Sequence, residues 1–245
     1  MIDLWLIGIG TGNPEHVTLQ ARTALREAAL VLVPRKGAGK EDLVDLRRRI
    51  LTACASTANV VEFDMPVRDE SLPYTERVAR WHDAIAELWA TIIAREVPTG
   101  PVALLVWGDP GLYDSTLRIA ARLNPVPRLR VIPGITALQA LTAAHAIPFN
   151  TINGAVMVMT GRRLRDHGWP DGATTVVVML DGDCSFTRLT PEGLLIWWGA
   201  YLGMPEQLLV DGPLQEAAPQ ILATRAEARA RHGWIMDTYL LRRES

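Results

Sequence analysis

The amino-acid sequence predicts an α/β protein of two domains, with a mostly parallel sheet in the first domain and a mixed sheet in the second. In the first half of the chain, short apolar segments alternate with longer segments whose apolar residues recur at helical spacing. Such alternation is typical of parallel strands covered by helices on both faces. In the second half, apolar segments follow one another with few helices between them, which indicates a mixed sheet. The predicted boundary follows Pro133, giving domains 1–133 and 134–245.

The predicted elements of the first domain alternate regularly. Its predicted strands are 2–9, 30–33, 60–63, 102–107 and 129–132, with 60–63 at an edge. Its predicted helices are 17–29, 40–51, 74–95 and 112–123. Thr18 is the predicted N-cap of the first helix, because a threonine hydroxyl can accept a hydrogen bond from a free backbone N–H in the first turn. The apolar face predicted for the helix over 74–95 consists of Val78, Trp81, Ile85, Leu88 and Ile92.

The second domain has fewer predicted helices. Its predicted strands are 155–159, 175–179, 194–198 and a closing strand at 234–241. Its predicted helices are 137–146, directly after a Pro-Gly turn, and 216–231.

Composition excludes several classes of protein. The chain of 245 residues has a net charge of −2 and a pI near 6.2, so it lacks the basic character of nucleic-acid-binding domains. Its two cysteines, Cys54 and Cys184, have neither metal-ligand nor disulfide spacing and fit a reducing cytoplasm. Asp3 stands where a signal peptide would be positively charged, and the first apolar segment ends at Gly8, too early to span a membrane. We therefore expect a cytoplasmic protein without a metal, a membrane or a nucleic-acid partner.

The first glycine-rich turn differs from a dinucleotide-binding fingerprint. Gly8, Gly10 and Gly12 recur at every second position, so the spacing is not Gly-x-Gly-x-x-Gly. The second strand is followed by Pro34, Arg35 and Lys36 rather than by an acidic residue that could bind a ribose. These features disfavour a nucleotide-dependent oxidoreductase.

The segment 107–115, Trp-Gly-Asp-Pro-Gly-Leu-Tyr-Asp-Ser, directly follows the predicted strand 102–107. Ligands of open α/β sheets bind beyond the carboxyl ends of the strands. Gly108 would allow a ligand to approach the backbone, and Pro110 fixes its own φ and removes a donor. Taken alone, this corner could equally be an ordinary strand-to-helix turn.

Three such segments occur in order: 8–15, 107–115 and 130–136. With them the chain resembles, from residue 7 to at least residue 212, the tetrapyrrole methylases, which are S-adenosylmethionine-dependent enzymes of the sirohaem and cobalamin pathways. The resemblance implies a homodimer of two-domain chains with a cofactor cleft between the domains. Further segments at 12–16, 113–118, 160–163 and 197–205 resemble the members that methylate carbon 1 of a precorrin and release its acetyl group as acetate.

The resemblance also implies which residues bind ligands. Those expected to bind S-adenosylmethionine, and its product S-adenosylhomocysteine, are Thr11, Trp107, Gly108, Asp109, Leu112, Thr136, Ala137, Met179, Leu180 and Gly203. Those expected to bind the tetrapyrrole are Gly10, Gly12, Arg35 and Arg162. Guanidinium groups suit the acetate and propionate carboxylates of a precorrin. Thr136 could instead be a helix cap.

Loss of the acetyl group needs a water molecule and a proton acceptor. By position, the candidates for this catalytic base are Asp109, Asp114 and His16, and the sequence does not choose among them. Asp114 stands where many family members have glycine, and it could instead cap the following helix. His145 is expected to be structural.

Two alternatives to this activity remain open at the level of sequence. The chain could be a family member that methylates a different ring carbon, which only turnover of substrate would reveal. It could also be a binding protein without catalytic activity, which would retain S-adenosylmethionine without turning it over.

Overall fold

The computed structural model describes residues 1–35 and 41–243. These residues form two compact units that divide between Thr136 and Ala137. The sequence-predicted boundary after Pro133 lies three residues before this division. No helix in the described part of the chain is long and apolar enough to cross a membrane.

The first unit contains a parallel sheet of five strands in the order β3-β2-β4-β1-β5. The strands are β1 (Asp3–Gly8), β2 (Leu30–Arg35), β3 (Asn59–Asp64), β4 (Val102–Val106) and β5 (Arg128–Ile132). The helices are α1 (Leu19–Glu27), α2 (Glu41–Ala53), α3 (Tyr74–Glu96) and α4 (Thr116–Ala120). The α/β class, the parallel sheet and the edge position of β3 are as predicted.

Alternation of side chains along the strands builds a core on each face of this sheet. Trp5 and Ile7 of β1 pack with α1 and α2, whereas Leu4 and Leu6 pack with α3 and α4. The N-cap of α1 is Thr18, whose hydroxyl accepts from the backbone N–H of Ala21 at 3.1 Å, as the sequence predicted.

Two predictions for this unit need correction. The predicted helix over 112–123 is reduced to Thr116–Ala120, because Tyr113 has a φ of +48° and so leaves the helical region. The buried face of α3 is rotated from the predicted one. Ile85 and Ile92 are buried, but Val78, Trp81 and Leu88 are only half-buried. The other buried residues of α3 are His82, Ala86, Trp89 and Ile93.

The second unit contains a mixed sheet in the order β6-β7-β10-β8-β9, in which only β6 and β7 pair in parallel. Its strands are β6 (Val156–Thr160), β7 (Thr175–Met179), β8 (Leu194–Ala200), β9 (Leu208–Pro213) and β10 (Asp237–Arg243). Its helices are α5 (Ala137–Ala144), α6 (Gly161–His167) and α7 (Leu214–His232). The mixed sheet is as predicted. The sequence did not predict β9 or α6, and β10 begins three residues later than the predicted closing strand.

Candidate functional site

Strands β1, β4 and β5 are neighbours, and their carboxyl ends meet at one edge of the first sheet. The turns that follow β1 and β4 are joined to each other beyond the strands. The N–H of Gly108 donates to the carbonyl of Gly10 at 2.8 Å, and the N–H of Gly10 donates to the carbonyl of Gly108 at 3.4 Å. Two of the glycine turns predicted to bind ligands thus form one continuous backbone surface.

Gly134, in the turn after β5, packs directly on the other two turns. A Cβ placed on Gly134 would lie 2.1 Å from the carbonyl oxygen of Gly108 and 2.8 Å from the Cα of Gly8. A Cβ placed on Gly8 would lie 2.5 Å from the backbone nitrogen of Gly134. Only glycine fits at these two positions, because the atoms that a side chain would meet belong to the backbone.

Gly108 is required for a different reason. Its φ is +60°, in the left-handed region that favours glycine. A Cβ there would meet nothing closer than the Cα of Thr136 at 3.5 Å. A Cβ at Gly108 would therefore make only ordinary van der Waals contacts with Ile135 and Thr136.

The Asp109 carboxylate holds this corner together. Oδ1 accepts from the N–H of Gly111 at 2.7 Å, and Oδ2 accepts from the N–H of Gly134 at 3.0 Å. The carbonyl of Asp109 also accepts from the N–H of Leu112 at 3.2 Å. Because both carboxylate oxygens bind backbone groups, the contacts give Asp109 a positioning role. Among the three candidate bases it is the least available to accept a proton.

His16 packs on the first glycine loop. A Cβ on Gly10 would lie 2.6 Å from the Cβ of His16, so the imidazole is held against the loop. Its Nδ1 lies 2.9 Å from the hydroxyl oxygen of Thr11. Thr11 and His16, predicted to serve the cofactor and catalysis respectively, thus form a hydrogen-bonded pair beside Gly10.

Asp114 stands one residue before the N-cap of α4, Ser115, and its side chain accepts the first helical N–H. Its Oδ1 accepts from the N–H of Thr116 at 2.6 Å, at the first residue of α4. The preceding residue, Tyr113, is exposed and has a φ of +48°. The carboxylate thereby supports an abrupt change from the turn to the helix.

We expect Asp114→Asn to leave the rate of acetate release within several-fold of wild type, because asparagine caps helices about as well as aspartate. Asp114→Ala should lower the free energy of unfolding by about 1 kcal/mol through loss of the cap. Turnover assays and urea unfolding of both variants check this expectation. A loss of about 10²-fold or more in Asp114→Asn would instead identify Asp114 as a base.

The two arginines predicted to bind substrate differ in their surroundings. Arg35, at the end of β2, donates from Nε and Nη2 to the two carboxylate oxygens of Asp64, both at 2.9 Å. A substrate carboxylate would have to compete with that pair. Arg162 is exposed in the first turn of α6. Lys36, beside Arg35, lies outside the described residues.

In the second unit, strands β6, β7 and β8 all end at the same edge of the sheet. The register pairs Thr160 with Met179, and Tyr239 of β10 lies between Val178 and Trp198. The predicted cofactor residue Met179 ends β7 and Leu180 follows it, while the predicted substrate residue Arg162 follows the end of β6. Leu180 is 66% exposed with a φ of +54°, which is an unfavourable conformation for a branched apolar residue.

Asp181, which sequence reasoning missed, anchors this strained residue. It is 7% exposed, and its oxygens accept from the N–H of Asp183 at 3.1 Å and from the hydroxyl of Tyr239 at 2.6 Å. The N–H and hydroxyl of Ser185 donate to it at 2.6 and 2.9 Å. Burial, followed by the Asp181 carboxylate, raises the pKa of Tyr239 well above its ordinary value, so its hydroxyl keeps its proton. In the sequence, the Leu-Asp-Gly-Asp turn directly after a predicted strand could have indicated that Asp181 has a structural role.

The turn after β8 contains Gly203, whose N–H donates to the side-chain oxygen of Gln207 at 2.7 Å. Its φ of +78° requires glycine or a strained residue.

His145 has a structural environment, as expected. Its buried ring lies 3.0 Å from the carbonyl oxygen of Trp198 and 3.4 Å from the Asp211 carboxylate.

The described residues contain no group of three or more histidine, cysteine or acidic side chains that could hold a metal ion. Both cysteines are buried, which raises the pKa of each thiol. Cys54 directly follows α2, whereas Cys184 lies between Asp183 and Ser185 in the turn after β7.

Comparison with known proteins decides the family. A sequence model of the tetrapyrrole (corrin/porphyrin) methylases matches residues 3–218. The chain belongs to the tetrapyrrole methylase family. The strand-end turns at Gly10, Gly108 and Gly134 all fall within the matched region, as do Met179, Leu180 and Gly203.

Individual relatives cover the whole chain. It is 45% identical, over 99% of its length and 96% of the relative's, to a precorrin-6A synthase [deacetylating] from Sinorhizobium sp. Among solved structures, a putative cobalamin synthesis related protein (CobF) from Corynebacterium diphtheriae is 40% identical with a TM-score of 0.86, and each chain is covered completely. A uroporphyrin-III C-methyl transferase from Thermus thermophilus, solved with S-adenyl homocysteine, shares the fold with a TM-score of 0.61 at 20% identity. That comparison covers 98% of this chain and 96% of the other.

Proposed function

We propose that this tetrapyrrole methylase is a precorrin-6A synthase of the deacetylating type. It transfers a methyl group from S-adenosylmethionine to C-1 of precorrin-5 and releases the ring's acetyl group as acetate, giving precorrin-6A. The observation that carries the proposal is the 45% identity, over 99% of this chain, to a precorrin-6A synthase. The resemblance further suggests that the protein acts as a cytoplasmic homodimer.

The first unit offers S-adenosylmethionine a suitable backbone cradle. Beside Gly108 and Thr136 there is room that a Cβ would fill without a clash. The bound cofactor supplies an activated methyl group on a positively charged sulfur. The work of Gly108, Asp109 and Gly134 is to fix the corner, so that the methyl acceptor and donor can be aligned without reorganisation of the protein.

We assign the proton acceptor for deacetylation to His16. In the tautomer that carries its proton on Nδ1, the imidazole donates to Thr11 Oγ1 over 2.9 Å and leaves Nε2 free to accept a proton from water. A base oriented by a second side chain is a recurring arrangement in catalysis. Asp109 and Asp114 remain weaker candidates, because backbone N–H groups occupy their carboxylates.

His16→Gln is expected to slow acetate release by about 10²- to 10⁴-fold, the usual contribution of one positioned base. Affinity for S-adenosylhomocysteine, measured by calorimetry, should stay near wild type. Thr11→Ser, which keeps the hydroxyl partner of the imidazole, is the matched control and should retain most activity. Wild-type acetate release by His16→Gln would refute the assignment.

The proposed function itself is tested by incubating the purified protein with precorrin-5 and isotopically labelled S-adenosylmethionine. Mass analysis should detect one added methyl group, loss of the acetyl group and free acetate. Methylation without acetate release would indicate a different ring carbon. Retention of S-adenosylmethionine without turnover of any precorrin would indicate a binding protein.

A further inference from the structure

Helix α2 contains three consecutive arginines that have different surroundings. Arg48 and Arg49 are exposed, and Arg48 pairs with Asp45 and Glu62. Arg47 is only 4% exposed and faces the protein interior. In the sequence all three resemble the solvated face of an amphipathic helix, so nothing there distinguished Arg47.

The Arg47 guanidinium is incompletely satisfied. Nη1 donates to the carbonyl of Leu43 at 3.0 Å, whereas Nε has no hydrogen-bond partner among the described residues. No carboxylate of a described side chain forms a salt bridge with it. Its Cζ lies 5.0 Å from the centroid of the Trp107 ring. The unpaired cation therefore lies against the first residue of the Trp-Gly-Asp-Pro corner.

Among the described residues Arg47 forms no salt bridge, and a buried cation in that state is a costly arrangement for folding alone. Burial lowers the pKa of Arg47 to about 10, and the Asp114 carboxylate offsets part of that effect, so the group remains charged at neutral pH. Replacement of a buried charge by an apolar side chain of similar volume is often neutral or stabilising. Packing alone therefore does not explain why this position carries a charge. Buried groups with strongly shifted pKa values cluster at functional sites.

We infer that Arg47 is a carboxylate-binding residue of the active site, held against Trp107 to receive one carboxylate of a bound ligand. The inference rests on the proposed function, in which two ligands carry that group. The precorrin has acetate and propionate side chains, and the cofactor has a methionine carboxylate. The planar guanidinium, held over the indole ring, presents its N–H donors as a rigid fork, which suits recognition of a planar carboxylate.

The test compares Arg47→Met and Arg47→Lys with Arg49→Met, a matched control from the exposed side of the same helix. Calorimetry with S-adenosylhomocysteine reports on the cofactor carboxylate. The KM for precorrin-5 and the fluorescence quenching of uroporphyrin III, a stable polycarboxylic tetrapyrrole, report on the substrate carboxylates. Loss of hydrogen bonds to a charged group should weaken one of these two ligands by about 10- to 100-fold in Arg47→Met. Arg47→Lys should restore only part of that loss, and Arg49→Met should match wild type.

Thermal unfolding without ligand separates binding from packing. Arg47→Met should melt at or above the wild-type temperature, because an unpaired buried charge is removed. Unchanged affinity for both ligands in Arg47→Met would overturn the inference. It would also be overturned if Arg47→Met and Arg47→Lys both bound more weakly and both melted at a lower temperature than wild type. The two binding measurements do not depend on turnover. If binding of one of these ligands depends on Arg47 but the wild-type protein does not methylate precorrin-5, the proposed function is contradicted and this inference stands.

Discussion

Gly134→Ala is expected to destabilise the first unit by about 3 kcal/mol or more and to abolish measurable binding of S-adenosylhomocysteine. The added methyl would lie 2.1 Å from the Gly108 carbonyl oxygen and 2.8 Å from the Cα of Gly8. No rotamer change can relieve this clash, because both neighbours are backbone atoms. The turns after β1, β4 and β5 would have to separate, and the Gly134 N–H would be drawn away from Asp109. Urea unfolding and calorimetry measure the two effects.

Gly182→Ala is the control for that substitution. A Cβ at Gly182 would meet nothing within 4 Å, and its φ lies outside the left-handed range, so the substitution should change stability by less than about 0.5 kcal/mol. If Gly134→Ala had the same free energy of unfolding as Gly182→Ala, the close packing described for the three turns would be contradicted.

Asp181→Ala is expected to destabilise the second unit by about 3 kcal/mol or more. Two N–H groups and two hydroxyls donate to this carboxylate, and truncation leaves them without their acceptor in a buried site, at about 1–3 kcal/mol for each group that stays unpaired. Leu180 should also relax from its left-handed conformation. If Leu180 contacts the cofactor, affinity for S-adenosylhomocysteine falls in protein that is still folded.

Asp183→Ala separates this buried network from surface electrostatics. The Asp183 side chain is exposed and pairs with Arg165 at 2.7 Å, while its backbone N–H still reaches Asp181. Loss of an exposed ion pair changes stability by about 0–1 kcal/mol. Equal destabilisation by the two substitutions would contradict the role given to Asp181.

The first sheet could be predicted because its strands are short apolar segments punctuated by glycine and proline. Helix α4 was predicted too long, since a single residue with positive φ, Tyr113, cannot be recognised from sequence. Strand β9 was not predicted because it includes Asp211 and Gly212 and lies at an edge of the sheet. Few of its residues are buried there, so its apolar pattern is weak. The short helix α6 is rich in arginine and has little apolar periodicity.

The candidate site was predictable where it is made of backbone. Gly10 and Gly134 mark close approaches, Gly108 has a positive φ, and all three glycines are visible in the sequence. The roles of the polar groups that support the site could not be predicted in the same way. Asp109 looked like a ligand-binding carboxylate but binds two backbone N–H groups. Arg47 looked solvent-exposed, because its burial depends on which side of α2 faces the sheet.

The position of β10 in the second sheet has a consequence for biosynthesis. All five strands of the first sheet have been translated once residue 132 is made, so that unit can complete its core while the ribosome is still extending the chain. The second sheet has no central strand until residues 237–243 emerge, because β10 lies between β7 and β8. Until then β7 and β8 each present an unpaired edge, the feature that promotes aggregation. We therefore expect the nascent second unit to be more prone to aggregation during synthesis than the first unit.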